Sequence, residues 1–428
     1  MRLYKLPFLI IILFNILTLI LYIIAPFEVS DRHEVIAILY ISINIFMIYC
    51  GYISGIRKGY ALKSINRAYL GTITISLFNV ILVFYLLTFL IRYAYSLYCP
   101  PYDLSALFQR VMLGIADPQA GRLLKGTRTI SWSIYFLISI VDSVFFLISV
   151  VNWKNLFNWH KIIILLLAIL DVFFWLATGT NFGIVMLLST VLFTTLLLSP
   201  SDFIKKKQLT KYINYGIILF LMALIVFSHN MEGRAGGDFN YVSQDDIAIP
   251  NAIIDNDNFV LRILGTISYK AQILYLYISA YLVQGYYHLE HIFYLDFDWN
   301  YFMGSNPALQ SWSELIFGYN PAENNYLIKM EPMGIDSYVH WHSCYTWLAN
   351  DYTIFGVPFV VYYIAKFAAT AFVLYRKYKD MLSGVVFLSL ANVMIFYFAN
   401  NNYMSSIFYS FMFFFPIWLF TRYKKIAK

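Results

Sequence analysis

The chain has 428 residues, of which 61% are hydrophobic and 12% charged, and its mean hydropathy is +0.66. A soluble domain carries about twice that charged fraction, which excludes a water-soluble enzyme or scaffold. Apolar runs near 20 residues recur along the chain, each long enough to cross roughly 30 Å of hydrocarbon.

Hydropathy predicts ten spans, at about 6–26, 35–53, 70–91, 132–151, 162–179, 182–199, 213–229, 354–375, 382–399 and 404–421. The first is followed by Pro26 without a small-residue cleavage pattern, so it reads as a retained span and not a signal peptide. Basic residues set the orientation. Arg2 and Lys5, then Arg57, Lys58, Lys63 and Arg67, then Lys154 and Lys161 flank successive spans. Further clusters follow at Lys205–Lys207 and Lys211, at Arg376, Lys377 and Lys379, and at Arg422, Lys424, Lys425 and Lys428. All fall on one face if both termini are cytoplasmic. The net charge of +7 is then explained by cytoplasmic anchoring, with no nucleic-acid partner required.

The expected layout is spans one to seven over 1–229 with a first outer loop at 92–131, a large outer loop at 230–353, and three spans over 354–428. In the first loop a helix is expected over Leu104–Ile115, with a break at Pro118 and a continuation to Arg128. In the second, "RILGTISYKAQILYLYISAYLVQGYYHLEHIF" has long helical periodicity, but its apolar part, 271–283, is short for a span. A helix lying in the interface or packed over the bundle is expected there. The fold class is an all-α polytopic membrane protein with an outer lid in two parts.

Arginine dominates the outer face (Arg32, Arg92, Arg110, Arg122, Arg128, Arg234 and Arg262), whereas lysine dominates the cytoplasmic face. A planar guanidinium fork holds phosphate or carboxylate oxygens bidentately; the plainer reading is that these arginines pair with nearby acids. Asp142 and Asp171, inside apparent spans, read as packing or hydrogen-bonding partners, because no chain of Asp, Glu or His crosses the spans with them. Cys99 and Cys344 share the outer face, where a disulfide and two free thiols are both open. No Walker motif, dinucleotide fingerprint or HExxH pattern occurs, so no cofactor and no metal are expected.

The stretch "VHWHSCYTWLANDYTIFG", residues 339–356, gathers titratable groups at the edge of an apolar run. His340 and His342 share a face only if this stretch is extended, since in a helix residues two apart diverge. They are candidate bases, with Asp336 and Asp351 as rivals; plain hydrogen-bonding histidines at an interface are the alternative.

"SAYLVQGYYHLEHIF", followed by "MGSNPALQSW", resembles the outer-loop signature of Wzy-type O-antigen polymerases, a Tyr-Leu-Thr-Gln-Gly-Tyr-Tyr run and then a glycine-containing turn. "WHSCYTWLANDYTIFGVP" resembles that family's return to the membrane, and "LATGTNFGIVMLLSTVLF" its Thr-Gly turn between spans. The likeness covers about 175–375. Two positions depart from it: Asn181 stands where the family often has arginine, and Val283 where it has threonine. His342-Ser343 also resembles the start of the motif of the related O-antigen ligases.

The resemblance implies a GT-C-like glycosyltransferase of the bacterial inner membrane. It would polymerise undecaprenyl-diphosphate-linked oligosaccharide repeat units on the periplasmic face, among membrane lipids and with a chain-length regulator as accessory partner. It implies glycan or diphosphate contacts from Tyr281, Gln284, Gly285, Tyr286 and Tyr287. Arginines (Arg234 and Arg262 first, then Arg110, Arg122 and Arg128) would stabilise the departing diphosphate in place of a metal. A ligase is the nearest enzyme alternative. A lipid-linked oligosaccharide flippase or other transporter is the non-enzyme alternative, although no internal repeat of the transporter kind is present.

The charge pattern makes one direct prediction. Topology reporters fused at Tyr60, Gln208 and Tyr378 are expected to read cytoplasmic, and those at Ile115, Asp245 and Asn320 periplasmic. A cytoplasmic signal at Asn320 would mean that 271–283 crosses the membrane.

Overall fold

The computed structural model describes residues 3–29, 33–62, 74–96, 104–116, 132–178, 182–199, 249–337, 340–399 and 401–423, with scattered positions between 210 and 231. The architecture is helical. Its main helices are α1 (Leu6–Ile24), α2 (Glu34–Ala61), α3 (Ile75–Ser96), α4 (Leu104–Ala116), α5 (Trp132–Asn152), α6 (Asn158–Ala177) and α7 (Phe182–Leu198). They continue with α8 (Phe259–Ile267), α9 (Tyr269–His291), α10 (Pro307–Phe317), α11 (Cys344–Tyr378), α12 (Met381–Ile395) and α13 (Asn401–Tyr423). One short antiparallel pair, Phe27–Glu28 with Ile253–Ile254, ties the turn after α1 to the large loop.

Among the described residues, six helices (α1, α2, α3, α5, α6 and α11) are long and apolar enough to cross a membrane. Shorter apolar helices occupy Gly183–Leu198, Met381–Ile395 and Tyr409–Thr421. The expected span at 213–229 lies largely outside the described residues, as does the continuation of the first loop beyond Ala116. Helix α1 shows why this is a membrane fold: Leu13, Leu17, Ile20 and Ile23 are exposed, while Asn15, Thr18 and Tyr22 are buried. A soluble helix is arranged the other way round. The buried Asn15 amide donates to the carbonyls of Ile11 (2.9 Å) and Met394 (3.0 Å), tying α1 to α12.

The spine of the bundle is α2 against α11. Gly51, Gly55 and Gly59 repeat every four residues and so form one stripe. A Cβ at Gly51 would lie 2.1 Å from the Tyr362 carbonyl oxygen, and one at Gly55 2.1 Å from that of Lys366. The helices therefore touch backbone to backbone, the geometry that small residues permit in membranes. Thr370 reinforces the contact by donating to the Gly55 carbonyl at 3.1 Å.

Helix α11 departs from expectation. The span was expected from 354, but the helix begins ten residues earlier, at Cys344, and is interrupted at Thr353 (φ 60, ψ 164). That conformation is strained for a residue with a side chain. The Thr353 hydroxyl accepts the Gly356 N–H at 3.3 Å, starting the second half of the helix. The first half, Cys344–Tyr352, had been expected as loop.

The long helix expected over 262–293 is two helices, because Ser268 is extended (φ −169, ψ 138). Gln272 then reaches back to the Leu261 carbonyl at 2.8 Å and fixes the corner. Helix α9 lies across the end of α1, as its contacts all fall near that end. Tyr275 donates to the Ile24 carbonyl (3.0 Å), Tyr286 bonds Thr18 (3.1 Å) and Tyr287 donates to the Phe27 carbonyl (3.1 Å). Buried Glu290 accepts from the Tyr22 hydroxyl and from the His33 N–H.

Asp142 and Asp171 are partners of Arg92, which lies within α3 and not in the outer loop. Arg92 bonds Asp171 and stands 3.6 Å from Asp142, with Phe174 under its guanidinium at 4.9 Å. For this arginine the plain pairing with acids holds. Cys344 is a free, buried thiol, directed at the carbonyls of Phe396 and Ala399; Cys99 lies outside the described residues.

The glycine stripe predicts a steep size limit. Gly55→Leu would drive a side chain into the backbone of α11, worse than ordinary overpacking at about 1–3 kcal/mol. Folded, membrane-inserted protein is expected to fall several-fold by fluorescence-detected size exclusion. Gly216→Leu, with nothing among the described residues within 4 Å of its Cβ, is expected to leave the profile unchanged.

Candidate functional site

The site is built where α9 meets the segment leading into α11. Gln284 and His288 are one helical turn apart and so share a face of α9. Gln284 Oε1 accepts the Trp341 N–H at 3.1 Å, and His288 Nδ1 donates to the Trp341 carbonyl at 2.6 Å. Both backbone polar groups of Trp341 are thus held by side chains of α9. Between them Gly285 lets the backbones meet: a Cβ there would lie 2.5 Å from the Phe398 carbonyl oxygen and 2.9 Å from the Ser343 nitrogen.

This clamp keeps residues 340–343 non-helical until Ser343 caps α11, its hydroxyl accepting the Thr346 N–H at 3.2 Å. Trp341 packs on Tyr281, with ring centres 4.0 Å apart. The His342 ring centre is 5.1 Å from that of His288, and the His340 ring centre 5.7 Å. The structure therefore brings together His340, His342 and a third histidine, His288.

His288 was not singled out from the sequence, although it lies inside the quoted "QGYYHLEHIF" run. The available signal was its spacing of four from Gln284.

The three rings differ in environment. His340 is half-buried, and its Nδ1 accepts the Asp336 N–H at 2.7 Å. His342 is fully buried, and neither of its ring nitrogens has a hydrogen-bond partner among the described residues. His288 is buried with its Nε2 likewise unpartnered. A carbonyl can only accept, so His288 carries its hydrogen on Nδ1 and, when neutral, presents a bare lone pair at Nε2. Burial pushes His342 down to about 3, helped by the nearby His340 and opposed by the Asp336 backbone carbonyl and, less, by the Asp336 carboxylate. Burial and the other two histidines hold His288 well below the usual imidazole range. Both rings are neutral near pH 7. Tyr345, Trp347 and Tyr397, all buried, also have unpartnered polar atoms among the described residues. Buried polar groups are ordinarily paired, so this concentration of orphans marks a place suited to a polar ligand. Among the described residues no group of His, Cys, Asp or Glu is arranged to hold a metal ion.

The remaining candidates are distributed as follows. Asp336 is exposed beside His340. Asp351, on the first half of α11, accepts the Gly304 N–H (2.7 Å) with Oδ1, and the Ser305 N–H (2.9 Å) and hydroxyl with Oδ2. Its carboxylate is occupied in pinning the "MGSNPALQSW" turn. There Asn306 caps α10 by accepting the N–H groups of Ala308 and Leu309. Gln284, Gly285, Tyr286 and Tyr287 are buried and engaged within the protein, while Tyr281 is half-buried beside Trp341. Arg110 is half-buried on α4, and Arg262 is exposed on α8. Arg122, Arg128 and Arg234 lie outside the described residues.

Comparison with protein-family models, with curated proteins and with solved structures gives no match.

Asp351 offers a test of how the loop is held. Asp351→Asn replaces one acceptor oxygen with a donor facing N–H groups, and each lost bond to a charged acceptor is worth about 1.5–3 kcal/mol. Faster amide hydrogen exchange is expected at Gly304 and Ser305, with exchange at the α2–α11 spine unchanged.

Proposed function

We propose that the chain is a membrane-embedded glycosyltransferase that polymerises undecaprenyl-diphosphate-linked repeat units at the outer surface of the bacterial inner membrane. The observation that carries this reading is His342, a buried and unpartnered imidazole, held beneath a lid helix by the residues in which the resemblance to Wzy-type polymerases resides. The chemistry suits such a site. The donor is activated by its own diphosphate, so no nucleotide is consumed. The acceptor hydroxyl oxygen bonds to the anomeric carbon as the bond from that carbon to the phosphate oxygen breaks. The diphosphate departs with the electron pair, and the hydroxyl proton passes to His342.

Burial matters to the base in two ways. It keeps the empty ring unprotonated, ready to accept, and it strengthens the influence of any charge brought alongside. An incoming diphosphate favours the protonated ring, moving its basicity toward the range where a general base is effective. The unpartnered hydroxyls of Tyr345 and Tyr397 supply further hydrogen-bonding capacity for sugar oxygens. Arg262, exposed on α8, and Arg234 are the arginines we assign to diphosphate. Asp351 acts at one remove, by holding the Gly304–Ser305 turn.

The test compares His342→Ala with His342→Gln in cells lacking the native chain. Glutamine keeps a hydrogen-bonding side chain but takes no proton near neutral pH. Both variants are expected to insert normally and to lose polymer roughly 10²–10⁴-fold, leaving single repeat units in a gel ladder. Full activity with glutamine would remove His342 from the role of base. Accumulation of long chains on the lipid carrier by the native chain identifies a polymerase; their transfer to a second lipid acceptor identifies the ligase alternative.

A further inference from the structure

His288 has no role in the reading above, and its geometry suggests a specific one. Its Nδ1–H is committed to the Trp341 carbonyl at 2.6 Å, which fixes the ring and leaves Nε2 as a buried acceptor without a donor. The nearest ring is His342, 5.1 Å away between centres and also unpartnered. Two imidazoles joined by an N–H···N bond of about 2.9 Å have centres roughly 5 Å apart, which is the separation of these two rings. His340 cannot serve in the same way: its Nδ1 already accepts the Asp336 N–H, which leaves it a donor at Nε2 when neutral.

We propose that His288 is a positioning residue for His342: its Nε2 accepts an N–H from His342, fixing which His342 nitrogen is bare and stabilising the imidazolium formed when that nitrogen takes a proton. This rests on the reading of His342 as the base. The backbone of Trp341 makes the arrangement self-consistent. Trp341 and His342 are consecutive, so the carbonyl that orients His288 is part of the peptide that leads into His342. Gln284 holds the Trp341 N–H, so two residues of α9 fix the backbone from which His342 projects.

The other titratable groups facing the pair are few. His340 and Asp336 come from the same segment, and His291 lies farther along α9. Glu290 is engaged by Tyr22 and His33, and Tyr345 and Cys344 follow on α11. None provides His342 with a buried, oriented lone pair of the kind presented by His288.

The experiment uses the full chain in lipid nanodiscs with ¹⁵N-histidine labelling, and His342 resonances assigned by their loss in His342→Gln. Polymerisation is measured in parallel over a range of pH, with lipid-linked repeat units extracted from cells lacking the chain as the probe. In the native protein His342 is expected in a single tautomer. His288→Leu keeps the burial and removes the acceptor. It is expected to mix the His342 tautomers, to lower polymerisation at least tenfold, and to move the acid limb of the pH profile to lower pH, because protonated His342 loses its partner. His288→Gln, whose amide can donate to Trp341 and accept from His342, is expected to recover part of the rate and the acid limb. A merely structural histidine would change the amount of folded protein and leave the limb in place.

An unchanged His342 tautomer and acid limb in His288→Leu would overturn the proposal while leaving the polymerase reading intact. Absence of polymer from the native chain would overturn the polymerase reading, and the tautomer measurement would still decide the link between the two histidines. If His288→Leu fails to accumulate, the native spectrum decides: mixed tautomers of His342 overturn the proposal.

Discussion

Backbone N–H and C=O groups withdrawn from water need partners, and Trp341 has both of its own satisfied by two side chains of α9. Gln284 takes the N–H and His288 gives to the C=O. Because these residues lie one turn apart on a rigid helix, they also fix the direction of the chain entering α11. The distinctive features of the site accompany this: the non-helical run at 340–343, the approach of the His340 and His342 rings to His288, and the placement of Trp341 against Tyr281. Gly285 is the steric counterpart, since any larger residue would separate the helix from the segment it holds.

The apolar helices were legible in the sequence because hydropathy acts over whole segments. A run of apolar residues has one good solution in lipid. Local exceptions were less visible. The break at Thr353 has no helix-breaking residue at that position; Pro358 comes five residues later. The corner at Ser268 depends on Gln272 reaching back across it, which periodicity does not register.

At the site, residue types were found but their roles were less readable. Gln284, Gly285, Tyr286 and Tyr287 suggest ligand contact when read as a motif, yet each is engaged with the protein's own backbone or side chains. Aromatic and amide side chains serve equally well for packing and for sugar binding, so type alone does not distinguish the two. His342 was identifiable from its neighbours in the chain. His288 was not, because its importance comes from residues more than fifty positions away. Asp351 illustrates the converse: an acid next to an apolar run looks like a base until the Gly304–Ser305 turn is seen seated on it.

The glycine stripe on α2 has a mechanical corollary. With backbone meeting backbone at Gly51 and Gly55, α2 and α11 cannot slide past each other by rotamer adjustment alone, because at those two positions the main chains themselves are in contact. They form a single spar, and the cap at Ser343 fastens one end of the histidine segment to it. The other end is fastened to α9, which lies across α1. Relative movement within this frame is therefore left to elements that meet through side chains, which have rotamers to adjust, and not to the two helices of the spar.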